Sequence, residues 1–407
     1  MTIKSIWIRG LLVVLCGCAV FMACEYKGPA ALWNPNQNLG ASPVITSVSP
    51  PDSAGPGVSE ILLNGQNFPT DTAALKVFFN NAPAIIKSTT PTQISLFRPP
   101  MVGSGITITV MAENDFGLAK LAGYAISATS RLYGNLPNKN ITNTIAVDAQ
   151  ENVYVLTTTK NIIQVSPQEV KTTIASQGPA IASDIRVGPD GNLYIQERAK
   201  TQLYQIVLPT AAGAKGQKYA QFAKNVMSFD FDANGNIIGA GDKTGISIIA
   251  PNLTTRGLTQ FQTISVKSLR VFKGYVYATD GVGIWKSAIQ SIDGTLGPEE
   301  SVFQIADAGP FGILGNGTQA AIQSFEMSGS GTLFVSINAN GANDPILYVK
   351  PNGEIASFYR GLLISSGGPL FWGSKNWMYM AMKTNTVVTP SINDLLRIDM
   401  GEPGAGK

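Results

Sequence analysis

Hydrophobic and polar positions repeat in a fixed pattern along the last two-thirds of the chain. Each copy consists of an apolar strand, a polar turn and a second apolar strand, as in residues 145–155 and 185–195. The residue that follows the turn stands at positions 152, 192, 236, 275, 332 and 377, so the copies are spaced by 40, 44, 39, 57 and 45 residues. Because a four-stranded propeller blade takes ~40–50 residues, this spacing predicts a six-bladed β-propeller over residues 129–407.

Segments outside this two-strand unit are expected to complete the ring. Most copies are followed by a third apolar segment, for example residues 162–165. Residues 131–133 are expected to join the last blade, which contains residues 394–399, and so to close the ring. The longest spacing leaves residues 287–321 as an extended loop on one face. A parallel β-helix would need much shorter periods, and a sandwich would not repeat one turn six times.

Residues 43–128 show a different pattern, in which short runs rich in β-branched residues are separated by turn residues. The run from Val44 to Val48 alternates in polarity and stops at Ser49-Pro50-Pro51-Asp52, and four more runs of this kind follow. Strands of this length and spacing predict an all-β sandwich of ~85–100 residues.

Four short motifs stand in order along this segment. They are Pro43-Val44-Ile45 with Val48-Ser49-Pro50, Leu63-Asn64-Gly65-Gln66-Asn67-Phe68, Thr92-Gln93-Ile94 and Asn114-Asp115-Phe116-Gly117. With them the segment resembles the IPT/TIG family, and the repeats resemble NHL-like six-bladed propellers. The two resemblances imply an all-β chain, an immunoglobulin-like β-sandwich followed by a six-bladed β-propeller. The first also implies a spacer role for the sandwich, because the segment has no basic cluster that would support DNA binding.

The first 23 residues have the order of an export signal. Lys4 and Arg9 precede an apolar run that is too short for a membrane span of ~20 residues and ends at Ala23-Cys24. This ending resembles a bacterial lipoprotein signal, which implies that Cys24 is lipidated. Leu15-Cys16-Gly17-Cys18 is a second possible lipidation signal, and an uncleaved anchor helix is a further alternative.

The segment after this signal is expected to separate the folded part from a membrane. Residues 24–42 are rich in Pro, Asn, Gly and Ala and show no hydrophobic periodicity, as in a linker. The three cysteines all lie at or before position 24, so no disulfide is expected beyond it. The combination resembles IPT/TIG-plus-propeller lipoproteins of Bacteroidota-like diderm bacteria, which implies an exported protein anchored at the outer membrane, on its periplasmic or cell-surface face.

Composition excludes several kinds of site. The chain contains no histidine, so neither a Ser–His–Asp triad nor a Cys–His pair can form. A resemblance to propeller lyases that act on cyclic antibiotics fails, because their catalytic histidine has no counterpart. Lys and Arg number 29 against 26 Asp and Glu, a balance that gives no electrostatic signature of a nucleic-acid partner.

Cofactor and metal motifs are likewise not indicated. The chain has no phosphate-binding Gly-x-x-x-x-Gly-Lys-Ser/Thr loop, and no cofactor is expected. Asp230-Phe231-Asp232-Ala233-Asn234-Gly235 mimics the first half of a calcium loop, but Gly241 stands where the bidentate Glu is required. We therefore expect an ordinary hairpin turn and no metal site.

Aromatic side chains near predicted loops are the remaining indication of a ligand. A flat ring can bury the apolar face of a sugar while nearby polar groups contact its hydroxyls. Trp372, Phe311 and Trp377 are the candidate ligand-binding residues, whereas Trp285 and Tyr275 are expected to pack between blades.

Three functions remain open on the sequence. The favoured one is a non-enzymatic surface protein whose propeller binds a glycan or a protein ligand. The second is an enzyme, a lyase or glycosidase, which predicts two or more carboxylates converging in the central funnel. The third is an assembly scaffold of the envelope, which predicts an exposed apolar patch and no small-molecule pocket.

Overall fold

The structure is a computed structural model that describes residues 41–112, 118–136, 141–157, 159–176, 181–210, 213–314, 317–338, 344–363, 368–373, 375–381 and 395–405, with the side chains of 141–143 left aside. Residues 42–407 form one compact unit. The predicted signal and lipidation site at Cys24 lie outside the described residues. In the ranges given, no helix has both the length and the apolar character needed to cross a membrane.

The first domain is an immunoglobulin-like β-sandwich. Its strands are β1 (Val44–Ser49), β2 (Ser53–Ala54), β3 (Glu60–Gln66), β4 (Leu75–Phe79), β5 (Ala82–Pro83), β6 (Ile86–Thr90), β7 (Gln93–Phe97), β8 (Gly103–Ala112) and β9 (Leu118–Ile126), with a 3-10 turn at Thr72–Ala74. The two sheets have the orders β1-β3-β7-β6 and β2-β9-β8-β4-β5. Alternating residues such as Ile61 and Leu63 of β3 and Ile106 and Ile108 of β8 are buried in the core between the sheets.

The second domain is a six-bladed β-propeller. Its strands are β10 (Ser130–Tyr133), β11 (Ile141–Val147), β12 (Val153–Thr157), β13 (Asn161–Val165), β14 (Lys171–Ser176), β15 (Ala182–Val187), β16 (Leu193–Glu197), β17 (Lys200–Ile206), β18 (Ala214–Lys215), β19 (Gln217–Val226), β20 (Ser228–Phe231), β21 (Ile237–Ala240), β22 (Ile246–Ile249), β23 (Thr255–Gly257), β24 (Ser268–Phe272), β25 (Tyr275–Thr279), β26 (Gly283–Ile289), β27 (Leu296–Gln304), β28 (Ile322–Met327), β29 (Leu333–Ile337), β30 (Ile346–Val349), β31 (Ile355–Ser357), β32 (Leu370–Trp372), β33 (Trp377–Ala381) and β34 (Leu395–Asp399).

The blades follow one another along the chain, each with its first strand innermost. Their strand orders are β11-β12-β13-β14 with β18 added at the edge, β15-β16-β17-β19, β20-β21-β22-β23, β24-β25-β26-β27, β28-β29-β30-β31 and β32-β33-β34-β10. Successive inner strands contact each other, and β32 of blade six contacts β11 of blade one. The ring is therefore closed, as the repeat spacing predicts.

An Asp–Asn pair fixes the turn after the inner strand in the first three blades. The side chain of Asp148 accepts hydrogen bonds from the backbone N–H of Asn152 (2.8 Å) and from the Tyr154 hydroxyl (2.9 Å), and Asp190 repeats this arrangement in blade two. In blade three, Asp232 Oδ1 accepts from the N–H groups of Asn234 and Asn236. The predicted hairpin turn in the stretch that mimics a calcium loop is confirmed.

The strand that closes the ring comes from the segment between the two domains. β10 pairs antiparallel with β34, from Ser130 opposite Ile398 to Tyr133 opposite Leu395. The fully buried Tyr133 ring lies edge-on to Tyr379 in the same blade, with 5.3 Å between ring centroids, and its hydroxyl donates to the Ser166 carbonyl of blade one at 2.7 Å. The predicted closure by residues 131–133 is confirmed, and Tyr133 joins the last blade to the first.

The prediction of one extended loop over residues 287–321 is wrong. This stretch contains the end of β26, all of β27 as the outermost strand of blade four, and a 3-10 helical segment at Ile305–Gly312 that is kinked at Gly309. Ile305 and Ala308 of that helix are buried against blade-five residues such as Ile322. Continuous apolar runs mark the first three strands of a blade. The outermost strand β27 contains Gly297, Pro298 and two glutamates, so its sequence does not predict a strand.

The sandwich is docked on blades five and six. The Lys87 ammonium of β6 lies 2.7 Å from carboxylate oxygens of both Glu60 and Glu354, and the Tyr348 hydroxyl of blade five donates to Glu60 at 2.9 Å. Hydrogen bonds from Lys87 and Lys350 hold the pKa of Glu354 at about 2. These contacts combine a sandwich lysine with a propeller carboxylate, so the interface is charged on both sides.

A buried arginine forms a second contact between the domains. Arg98 is almost fully buried, donates to the Gly55 carbonyl at 2.6 Å and places its guanidinium 5.7 Å from the centre of the Tyr359 ring of the propeller. The Tyr359 hydroxyl donates to the Asp399 carbonyl at 2.6 Å and accepts a hydrogen bond from the N–H of Gly57. Tyr359 therefore connects the sandwich to the end of β34.

Replacing Tyr133 tests the closure of the ring. Tyr133→Ala should lower the free energy of unfolding by about 3–5 kcal/mol, because a large buried ring and its contacts to blades one and six are lost. Leu132→Ala on the same strand should change it by no more than about 0.5 kcal/mol, since Leu132 is 46% exposed. Urea unfolding followed by tryptophan fluorescence measures both, and equal effects would contradict the role given to Tyr133.

Candidate functional site

Two cavities lie at the centre of the ring, one toward each end of the inner strands. The wide cavity, of about 410 Å³, is lined at the ends of the inner strands by residues such as Val147, Phe272 and Trp372. The narrow cavity, of about 140 Å³, is lined nearer the strand starts by residues such as Ser183 and Ser268. Arg186 and Arg270 line both cavities, so these two side chains separate them.

Polar side chains of the inner strands occupy this centre because they connect neighbouring blades. Asp184 of blade two accepts from the Thr144 hydroxyl of blade one at 3.2 Å and from the Ser228 hydroxyl of blade three at 2.8 Å. Ser228 in turn accepts from the N–H of Leu269 in blade four at 3.1 Å. The inner edge of each sheet thus finds hydrogen-bond partners in the next blade instead of in water.

The same arrangement continues around the ring. Asp230 accepts from the N–H of Val271 at 3.0 Å, which connects blade three to blade four, and Ser324 accepts from the N–H of Leu370 at 2.6 Å, which connects blade five to blade six. Between blades six and one, the buried Glu151 accepts from the Tyr379 hydroxyl at 3.3 Å and from the N–H of Lys375 at 3.2 Å.

Five charged residues form a layer between the cavities: Asp184, Arg186, Asp230, Arg270 and Glu326. All of them are buried. Arg186 Nη2 lies 3.2 Å from Asp184 Oδ2, and Arg270 Nε lies 2.7 Å from Glu326 Oε1. The two guanidiniums also donate to the Phe229 and Leu269 carbonyls. This charged layer places fixed hydrogen-bonding groups of both signs at the floor of the wide cavity.

Burial and neighbouring charges shift the pKa values of Glu326 and Arg186 in this layer in opposite directions. Burial raises the pKa of the Glu326 carboxyl above its ordinary value, and Arg270 and Arg186 only partly offset this effect. Burial also acts to lower the pKa of Arg186, but Asp184, Asp230 and Glu326 outweigh it and raise that pKa overall. Arg186 therefore stays charged, and Glu326 holds a proton at higher pH than an exposed glutamate does.

Trp372 supplies the largest aromatic surface of the wide cavity. It ends β32, its indole Nε1 donates to the Lys375 carbonyl at 2.8 Å, and its ring packs edge-on against Phe334 with 5.5 Å between centroids. These contacts hold the half-buried ring in place on the cavity wall. The apolar part of the lining also includes Val147, Pro189, Val271, Phe272 and Met327.

The other two predicted ligand-binding residues lie elsewhere. Phe311 belongs to the 3-10 helix after blade four and packs against buried residues of blades five and six. Trp377 begins β33, where the Arg397 guanidinium lies 4.1 Å from the centre of its ring. Neither contributes to the lining of the two cavities. Trp285 and Tyr275 pack against residues of neighbouring blades, as the sequence indicates.

The charged layer was not predicted from the sequence, although the repeats contain a signal for it. In four consecutive copies a charged residue stands between two apolar ones just before the turn: Arg186, Asp230, Arg270 and Glu326. The sign alternates from copy to copy. Aligning the repeats by register would have revealed this position, which on its own resembles an exposed position of a strand.

The sequence agrees with one family model, for the IPT/TIG domain, over residues 43–124. It has no significant match among the curated proteins. A protein of unknown function from Bacteroides thetaiotaomicron has the same fold, with 11% identity, 90% of this chain and 99% of that chain covered, and a TM-score of 0.50.

Other solved structures that match this chain are those of an enzyme and of a binding protein. A luciferin-regenerating enzyme matches 68% of this chain and 98% of its own, with 10% identity and a TM-score of 0.50. An auxiliary nutrient binding protein from Bacteroides thetaiotaomicron matches 90% of this chain and 98% of its own, with 13% identity and a TM-score of 0.47. At these identities the likeness concerns the fold, and the function has to be argued from the site.

Proposed function

We propose that this protein is a lipid-anchored binding protein of the cell envelope, and that its propeller holds a glycan in the wide cavity. The observation that carries the proposal is the position of Trp372, a fixed aromatic surface above a floor of charged hydrogen-bonding groups. A sugar has an apolar ring face and a polar rim, and this pairing of surfaces fits both.

The dimensions and the surroundings of the cavity support the same proposal. Its volume of about 410 Å³ falls in the ~300–1,000 Å³ range of small-molecule sites. An assembly scaffold would not require such a pocket. Arg186 and Arg270 carry hydrogen-bond donors, and Asp230 and Glu326 carry acceptors. A sugar hydroxyl can therefore either accept or donate a hydrogen bond here. The sandwich, as the proposed spacer, contacts blades five and six, and these contacts fix the orientation of the propeller relative to it.

Replacing Trp372 tests the glycan site. A glycan array identifies the sugar that the purified protein binds best, and titration calorimetry then compares variants. Trp372→Ala should weaken binding about 10-fold or more, because the stacking surface is lost. Trp377→Ala removes the same side chain away from the cavity and should leave affinity unchanged, with circular dichroism confirming that both variants fold. Equal losses, or binding of no glycan, would contradict the proposal.

Cysteine variants test the lipid anchor. In a diderm bacterial host supplied with an alkyne-labelled fatty acid, Cys24→Ala should lose the label and leave the membrane fraction, because the acylated residue is missing. Cys16→Ala and Cys18→Ala serve as matched controls and should keep the label. Loss of the label in the Cys18 variant alone would assign lipidation to the earlier signal.

A second candidate function, a carboxylate-dependent lyase or glycosidase, is favoured by the convergence of Asp230 and Glu326 on the wide cavity. Glu326, whose pKa is raised by burial, has the property of a general acid. Mass spectrometry of the best-binding glycan after incubation with the protein would detect turnover. If the protein is an enzyme, Glu326→Gln should lower the rate about 100-fold or more, whereas Glu300→Gln on the exposed face of β27 should not. An uncleaved glycan would exclude this function for that ligand.

A further inference from the structure

We infer that the narrow cavity is a separate site for a small oxyanion, either a free anion or the carboxylate, sulfate or phosphate group of a larger ligand. This site lies across the charged layer from the proposed glycan site. Apart from Arg186 and Arg270, which line both cavities, the inference uses different residues, and it does not depend on glycan binding.

The two cavities differ in formal charge although they share two arginines. The wide cavity is lined by Arg186 and Arg270 together with Asp148, Asp230 and Glu326, which sums to −1. The narrow cavity is lined by the same two arginines together with Lys267 and Asp184, which sums to +2. Asp148, Asp230 and Glu326 line the wide cavity only, which disfavours an anion there, whereas the narrow cavity adds Lys267 as a further cation.

Hydroxyl groups from five successive blades surround the narrow cavity. They belong to Thr144, Ser183, Ser228, Ser268 and Ser324 of the five inner strands. Ser183 Oγ is buried and has no hydrogen-bond partner in the part of the chain that the structure describes. Ser324 Oγ accepts from the N–H of Leu370, so its own hydrogen remains available for donation. Thr144 and Ser228 already donate to Asp184, so Ser183 and Ser324 are the hydroxyls that offer donors to the oxygens of an anion.

The one carboxylate found in the described lining of this cavity is already occupied by hydrogen bonds, which argues against a cation as its ligand. Asp184 is the only carboxylate among the described residues that line it. Its Oδ1 accepts from Thr144 and from the N–H of Ile185, and its Oδ2 accepts from Arg186, Ser228 and the N–H of Phe229. Arg186 uses its Nε and Nη2 atoms in its described hydrogen bonds, which leaves Nη1 as a further donor.

Size sets the class of ligand. A volume of about 140 Å³ accommodates one oxyanion group and a few waters, but not a complete sugar ring with its substituents. The exposed Lys267 at the rim adds a charge that a bound anion would neutralise.

The test uses the full chain and two probes at constant ionic strength. Titration calorimetry with sulfate and with glucuronate measures binding, and a crystal soaked in selenate locates the anion by its anomalous signal. We expect selenate beside Ser183, Ser268 and Lys267. Binding of sulfate alone would identify a free anion as the ligand, and binding of glucuronate as well would identify the acidic group of a larger one.

Matched variants separate a specific site from general attraction. Lys267→Gln should weaken sulfate binding about 5- to 10-fold, and Ser183→Ala should weaken it while leaving the folded state intact, because the lost hydroxyl has no hydrogen-bond partner among the described residues. Lys218→Gln removes an exposed charge from the outer strand of blade two and should have no effect. Absence of selenate from the narrow cavity, or equal losses in the Lys267 and Lys218 variants, would overturn the inference.

Discussion

The structure depends on how the inner edges of six separate sheets find hydrogen-bond partners without joining into one barrel. An unpaired strand edge buried at the ring centre would leave N–H groups without acceptors, at a cost of about 1–3 kcal/mol each. Asp184, Ser228, Asp230 and Ser324 meet this requirement, because each accepts a bond from the backbone or a hydroxyl of the following blade. These side chains fix the spacing between blades and leave a channel open along the axis.

The polarity of that channel follows from the same requirement. A purely apolar axis could not satisfy the inner edges, so carboxylates enter it, and the guanidiniums of Arg186 and Arg270 then compensate their charge. Because the compensating groups stand at one level along the axis, they divide the channel into two cavities of different size and charge. The groups that bind ligands are therefore also the groups that hold blades together, and substitutions in this layer affect both stability and binding.

Much of the architecture could be predicted from the sequence, because the same pattern of apolar strand, polar turn and apolar strand occurs six times. The hairpins after the inner strands and the third strands are set by apolar runs and by Asp, Asn and Gly turns. The closing strand was also predicted, since Arg131-Leu132-Tyr133 stands between the sandwich segment and the first repeat and belongs to neither. Outer strands such as β27 could not be predicted, because one face and one edge of such a strand are exposed to solvent and its composition resembles that of a loop. At the site, Trp372 was predicted, but Arg186, Asp230, Arg270 and Glu326 were missed because a charged residue between two apolar ones also fits an exposed strand.

The position of β10 has a mechanical consequence. The chain leaves the sandwich through this strand, which is also the last strand of the ring, so tension along the chain would act on the seam between blades six and one. The docking of the sandwich through Arg98, Lys87 and Tyr359 offers a parallel route, by which a pull on the sandwich passes into blades five and six. A force applied to the chain before the sandwich is thus shared between the seam and the domain interface. This sharing reduces the force that would separate β10 from β34 one residue at a time.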